Sequence, residues 1–523
     1  MATSDSEHQV DVYDATLRDG TQRVGISLTV EDKLRIAARL DDLGVAFIEG
    51  GYPGSNPKDI ELFRRARERS WTSAALVAFG STRRARLAVE DDPQLAALLA
   101  AGTPACAIFG KSSRLHVTEV LRVGLDENLR MIEESVAYLR AHDRRVIYDA
   151  EHFFDGYRDD PSYALETLAA ASRGGAEVLV LCDTNGGSLP WQIEEALGAT
   201  QRAVRTPLGM HAHDDVGCAV ANTLAAVRAG VRHVQGTING YGERCGNVNL
   251  CTVVANLELK MGLRALRRGA LAELHDLSHF VAEVANVTPD EHLPYVGDSA
   301  FAHKGGTHVA AMRRTPLSYN HVDPALVGNR TRVVMSELSG RANVQSLAEE
   351  HGALLEDGAD LEVLGAIKES EARGCAFDAA EASIALMMRR RAPGYQAPFR
   401  LVDYMVIVGK REGRGDFTEA SLKLAVGDEI LHTAAEGNGP VSALAAALRK
   451  ALTPAFPAIL AIQLVDYKVR ILDGKEGTGA VTRVLIDSRS GPRQWSTVGA
   501  SANILEASWQ ALVDSIEYGL SVS

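Results

Sequence analysis

Cysteine is sparse. The chain has six in 523 residues, and none of them forms a C-x-x-C pair or a regular spacing. That excludes a disulfide framework or a cysteine-rich zinc module, so Cys106, Cys182, Cys218, Cys245, Cys251 and Cys375 read as reduced, mostly buried small hydrophobes. No apolar run approaches the roughly 20 residues that a membrane-spanning helix needs. The start, MATSDSEHQVDVYDATLRDG, has neither the basic residues nor the apolar core of a secretory signal. A cytoplasmic protein without a membrane partner is expected. Basic blocks are missing as well: 55 Lys and Arg stand against 68 Asp and Glu, a formal net charge of −13, so nucleic acid is not an expected partner. The glycines of 436-EGNGPVSAL-444 precede a helical pattern without the Lys-Ser/Thr of a phosphate loop, which argues against ATP.

What is present is core material. Hydrophobic residues make up 46% of the chain and charged residues 24%, enough for about three domains, or fewer if one is a barrel. Short β-rich runs recur eight times: VDVYDATLRDG (10–20), AFIEGG (46–51), SAALVAFGS (73–81), ACAIFGKSS (105–113), RVIYDAEHF (145–153), EVLVLCDTNGG (177–187), PLGMHAHDD (207–215) and HVQGTINGYGE (233–243). Amphipathic helical patterns fill the gaps, so the fold class is α/β, a closed (β/α)8 TIM barrel over 1–275. Each run turns from apolar to polar at its C-terminal end, where such barrels carry their chemistry.

That rule gathers Arg18 and Asp19, Glu49, Asp149 and Glu151, Asp183 and Thr184, His211 and His213, Asn239 and Glu243 at one mouth. Singly, Asp183, Thr184 or Asn239 could equally be a cap or a turn former. His211 and His213 stand at i and i+2, on one face of a strand, where two imidazoles can reach a single point. With Asp19 they make a set for a divalent metal ion that leaves coordination positions open for substrate.

From 276 to 394 the pattern is a mostly helical linker, whose polar segment 291–312 carries His292, His303 and His308. The last portion, 395–523, is duplicated. LVDYMVIVGKREG (401–413) answers LVDYKVRILDGKEG (464–477), and each copy continues through two more strand-like segments into a helix. This gives an α+β domain of two βββα repeats.

The combination of D-x-T-L-R-D-G-x-Q (14–22), H-A-H-D-D (211–215) and G-Y-G-E-R-C-G-N (240–247) resembles the metal-dependent acyl-CoA Claisen-condensing enzymes of the isopropylmalate and homocitrate synthase family. The similarity extends over essentially the whole chain. It implies a divalent metal (Mg, Mn or Zn) on Asp19, His211 and His213, with Asn247 in or near its shell. Arg18 would hold and polarise a 2-oxo acid, Thr184 would bind its carboxylate, and Glu151 would order the hydrogen bonds of the site. His308 and Tyr319 match residues of acid/base steps, and His303 and Asp149 are further substrate-binding candidates. The implied reaction joins acetyl-CoA to pyruvate. The alternatives are 2-oxoisovalerate as acceptor, or bond cleavage by a lyase on the same barrel. The resemblance also implies a homodimer and a regulatory C-terminal domain with isoleucine as effector. Two departures stand out: Asp214 replaces the family's Asn after the second histidine, which is expected to add negative charge beside the metal, and Asp149 puts an acid where some relatives contact the substrate side chain.

Overall fold

The computed structural model describes residues 8–336, 338–351, 355–356, 358–412 and 415–522. It divides into two compact units. The first runs to Phe301 and includes Val322–Arg330, and the second comprises Ala302–His321 and the chain from Thr331 onward.

In the first unit, eight parallel strands close into a barrel: β1 (Asp11–Asp14), β2 (Phe47–Gly51), β3 (Ala75–Ser81), β4 (Ala105–Lys111), β5 (Arg145–Glu151), β6 (Val178–Asp183), β7 (Leu208–Ala212) and β8 (His233–Gly236). β8 closes the ring on β1 with Asp11 opposite His233. The helices follow in alternation: α1 (Val30–Leu43), α2 (Pro57–Ala66), α3 (Pro93–Ala101), α4 (Leu125–Ala141), α5 (Phe153–Asp159), α6 (Pro161–Gly174), α7 (Pro190–Ala203), α8 (Ala219–Arg228), α9 (Leu250–Leu259) and α10 (Leu274–Val284). Local chemistry sets their ends. Thr29 and Asp32 form a reciprocal capping box at α1, Asp92 caps α3, and Asn249 caps α9.

Strand periodicity then sorts the side chains. Tyr13, Phe47, Val77, Ala107, Ile147 and Val180 fill the barrel interior, while Val12, Ile48, Ile108, Val146 and Leu181 face the helices in the larger outer core. The interior parity continued toward the strand ends selects Glu49, Asp149, His211 and Gln235, so alternation alone aims these polar groups inward.

The second unit contains β9 (Ala302–His303), α11 (Gly306–Arg314), β10 (Arg332–Val333), α12 (Arg341–Glu350), α13 (Ala359–Ala372) and α14 (Glu381–Arg389). Two antiparallel sheets with helices follow: β11 (Arg400–Arg411), β12 (Gly415–Val426), β13 (Glu429–Glu436) and α15 (Pro440–Leu452), then β14 (Gln463–Ile471), β15 (Thr482–Ser490), β16 (Arg493–Ser501) and α16 (Ile504–Val522). The duplication reaches the backbone, because the β11–β12 register slips between Leu401 and Asp403 and the β14–β15 register slips between Leu464 and Asp466, the same place in each repeat. Both helices share one core with the sheets, including Leu422, Leu448, Ile486 and Leu512. Among the described residues no helix is long and apolar enough to cross a membrane.

Candidate active site

His211 lies on β7, and His213 continues that strand through an isolated bridge to Asn247. The i, i+2 spacing brings their Nε2 atoms to 3.4 Å, and His211 Nε2 lies 3.6 Å from Asp19 Oδ2. Donors sharing one ion tetrahedrally, at bonds of about 2.0–2.1 Å, stand about 3.3 Å apart. The three separated stretches of chain therefore present a chelating set, and all three side chains are buried. Asp19 Oδ1 and Asn247 Oδ1 are buried without a hydrogen-bond partner among the described residues. Each bare acceptor costs about 1–3 kcal/mol unless something polar meets it. Burial and then the neighbouring His211 push the His213 pKa down to about 4, so the ring is neutral and keeps a lone pair. Burial alone would raise the Asp19 pKa, but its polar neighbours, Arg18 foremost, outweigh burial and lower it, so the carboxylate is ionised. One carboxylate, two imidazoles and a free amide oxygen fit a divalent cation.

The loop after β8 delivers Asn247. Gly246 has φ 101°, and a Cβ there would lie 2.0 Å from the Gly240 carbonyl oxygen, so the G-x-G-x-x-x-G spacing is a steric requirement of the turn. Gln235 acts behind the cluster. Its Oε1 accepts from His211 Nδ1 at 2.9 Å and its Nε2 donates to Asp149 Oδ1 at 3.0 Å. A proton held on Nδ1 leaves the His211 Nε2 lone pair facing Asp19 and His213.

Arg18 donates through Nε to Glu49, and its Nη1 lies 3.3 Å from Asp19 Oδ2. The guanidinium sits over the Phe79 ring, 3.8 Å from the centroid, and Glu49 is fixed in turn by the Tyr13 hydroxyl. Burial opposes the charge on Arg18, but Glu49 and Asp19 raise its pKa and keep it cationic. Asp149 behaves differently: burial, and then Glu49, push its pKa up to about 8, so at pH 7 it is mostly a neutral acid. The acid that stands where some relatives contact the substrate side chain is thus largely uncharged. Asp214, expected to add negative charge beside the histidines, instead accepts the Ala219 N–H through its Oδ1 at 2.8 Å at the start of α8.

These residues line a cavity of about 300 Å³ at the C-terminal ends of the strands, with Arg18, Asp19, Asp149, Glu151, Thr184, His211 and His213 contributing the polar wall. Glu151 is paired with Lys111. Thr184 Oγ1 accepts the His152 N–H at 2.8 Å, which leaves its hydroxyl hydrogen to donate to an anionic oxygen. Two strand-end residues have structural duties instead. Asp183 accepts from Ser188 at 3.1 and 2.9 Å, and Asn239 ties to Ser278 at 2.9 and 2.6 Å. His303, His308 and Tyr319 belong to the second unit. There His308 and Tyr319 stack with ring centroids 4.1 Å apart, while His303 Nε2 meets Asn320 Oδ1 at 2.9 Å.

Sequence reading missed Gln235 and the apolar wall of Tyr52, Phe79 and Phe109. The signal for Gln235 was available: an amide on the inward parity of an otherwise apolar strand, level with His211 in the β7–β8 register.

Comparison with known proteins agrees across the chain's length. The HMGL-like family model matches residues 9–281, the homocitrate synthase post-HMGL domain-like model 295–374, and the LeuA allosteric (dimerisation) domain model 378–520. An (R)-citramalate synthase of Synechocystis sp. is 53% identical, covering 97% of this chain and 96% of that protein. One of Geobacter sulfurreducens is 50% identical over 98% of both chains. A 2-isopropylmalate synthase of Methanocaldococcus jannaschii is 30% identical, over 97% of this chain and 94% of that one.

Proposed function

Because this chain belongs to the HMGL-like family, and within it to the (R)-citramalate synthases, we infer that it condenses acetyl-CoA with pyruvate and water to give (R)-citramalate and CoA. The observation that carries this reading at the site is the convergence of Asp19, His211 and His213 on one point beside the cationic Arg18, in a cavity at the barrel mouth.

A divalent ion on Asp19, His211 and His213, with Asn247 beside it, would polarise the keto group of pyruvate and stabilise the negative charge that develops on its oxygen. Imidazole donors favour Zn over Mg, while the carboxylate and amide oxygens also suit Mn. Arg18, oriented by Glu49 and Phe79, binds the acceptor's carboxylate, and Thr184 donates its hydroxyl hydrogen to the same group. The neutral Asp149 steadies Gln235, and through it His211, without repelling an anionic substrate. Glu151, fixed by Lys111, orders the hydrogen bonds on the opposite wall. The His308–Tyr319 pair serves the acid/base steps, with His303 a further substrate contact, in line with the family pattern. A proton leaves the acetyl methyl group, its carbon bonds to the keto carbon of pyruvate, the new alkoxide takes a proton, and water cleaves the thioester to release CoA. Tyr52, Phe79 and Phe109 pack ring against ring, 5.7 and 5.5 Å between centroids, and form a stiff apolar wall suited to a methyl group.

The C-terminal repeats support a homodimer. Met405 and Ile407 on β11 and Val469 and Ile471 on β14 are exposed, two apolar side chains at i and i+2 on one face of each strand, which strands of a lone protein rarely leave open. Isoleucine is the proposed effector of this domain. The experiment for the catalytic reading is metal dependence: thiol release from acetyl-CoA in the presence of pyruvate should stop on chelation and return with Mn or Zn. His213→Ala should abolish it with the circular dichroism spectrum unchanged. Full turnover in the chelated enzyme would sink the assignment.

A further inference from the structure

We propose that His275, His279 and Asp298 form a second binding site for a divalent transition ion, separate from the cluster at the barrel mouth, which fastens α10 to the turn around 294–300. His275 and His279 stand at i and i+4 on α10 and so share one face, a turn apart. Their rings are stacked, 4.3 Å between centroids at 28°. Both Nε2 atoms converge on one oxygen: Asp298 Oδ1 lies 3.2 Å from His275 and 3.8 Å from His279. These separations match the 3.4 and 3.6 Å found in the Asp19 cluster, the spacing of donors that share an ion.

His275 has an acceptor at each ring nitrogen: Asp298 Oδ1 at 3.2 Å from Nε2 and Asp276 Oδ1 at 3.5 Å from Nδ1. When an ion takes the place between Nε2 and Asp298, Asp276 is there to hold the ring proton on Nδ1. His279 Nε2 lies 3.2 Å from the Val296 carbonyl oxygen, so a proton held there must leave when the ion binds, and affinity should fall in acid. Two imidazoles and one carboxylate suit Zn(II), Co(II) or Ni(II) and not Mg(II) or Ca(II). The three side chains are only partly buried, which gives an ion access from solvent.

The place in the fold gives the site its consequence. Residues 294–300 are the last stretch of the first unit before the chain leaves it at Ala302. The returning segment grips the same turn, since Asn329 Nδ2 donates to the carbonyls of Tyr295 and Gly297, each at 2.9 Å. An ion here would pin the point where the chain leaves the barrel unit.

The test uses the full-length protein stripped by a chelator, titrated with Zn(II) and counted by elemental analysis, with Co(II) absorption as the report on coordination. Two ions per chain are expected for the wild type, one for H275N/H279N, one for H213A, and none when both sets are combined. In H213A, where only the proposed site remains, Zn(II) should raise the thermal midpoint, and adding H275N/H279N should remove that rise. D298N, at a half-exposed carboxylate, gives a second variant should the histidine pair disturb folding. A wild type that saturates at one ion, lost entirely in H213A, overturns the proposal, as does an H275N/H279N protein that still takes two.

Discussion

Replacing His233 by phenylalanine should flatten the acid side of the barrel's stability profile. His233 opens β8 inside the barrel, between the rings of Tyr13 and Phe47, each 5.4 Å away, and neither ring nitrogen has a hydrogen-bond partner among the described residues. Burial, and then the nearby Arg145, push its pKa down from 6.5 to about 3. The folded pKa lies below the unfolded one, so the unfolded chain takes up the proton first. The neutral ring's contribution to stability is therefore complete above pH 6.5 and is lost as pH falls toward 3. At pH 5 the unfolded state has gained 1.5 units of protonation advantage, which at about 1.36 kcal/mol per unit is about 2 kcal/mol from this one side chain. Phenylalanine cannot titrate. It will also crowd Gly209, whose position already lies close to the His233 ring, but overpacking of about 1–3 kcal/mol is the same at both pH values and cancels. The assay is denaturant unfolding of the full chain at pH 7 and pH 5, followed by circular dichroism. The wild type should lose about 2 kcal/mol more than the variant between the two. Parallel losses would show that His233 is not held neutral by its surroundings.

Three further outcomes follow from the site and the C-terminal domain. Gln235→Leu should weaken metal binding about 10- to 100-fold by freeing the His211 tautomer, with kcat largely recovered at saturating metal; unchanged metal affinity would remove Gln235 from the site. Introducing Asp at both Ile407 and Val469 should convert a dimer to a monomer in sedimentation analysis, and a dimer that persists would place the interface elsewhere. Isoleucine should inhibit the wild type, with a 5- to 150-fold change in apparent substrate affinity, and an enzyme indifferent to isoleucine, leucine and valine would leave the repeats a purely structural role.

The barrel was legible because parallel strands buried on both faces leave apolar runs that end abruptly in polar residues, as at 177–187 and 207–215. Asp19, His211 and His213 could be gathered for the same reason. What could not be read from one dimension was what neighbours do to a charge. Asp149 looks like an anion in sequence, and only three-dimensional burial beside Glu49 makes it a neutral acid. Asp214 looks like an addition to the metal site, yet its carboxylate turns to the first N–H of α8. Gln235 was hidden inside the strand run 233–243, from which only the terminal Asn239 and Glu243 were picked, because the β7–β8 register that sets it against His211 is a long-range property. The interleaving of the units, with 322–330 returning to the first, leaves no local signal either.

The central claim is the acceptor, and a single competition panel tests it. The metal-loaded enzyme is given acetyl-CoA with pyruvate, 2-oxobutyrate, 2-oxoisovalerate or 2-oxoglutarate, and thiol release is measured as kcat/KM. One methylene is worth about 1–3 kcal/mol in such a pocket, so pyruvate should lead, 2-oxobutyrate should follow by roughly 10- to 200-fold, and the branched and dianionic acids should trail further. Preference for 2-oxoisovalerate, or no thiol release with any of the four, would contradict the account.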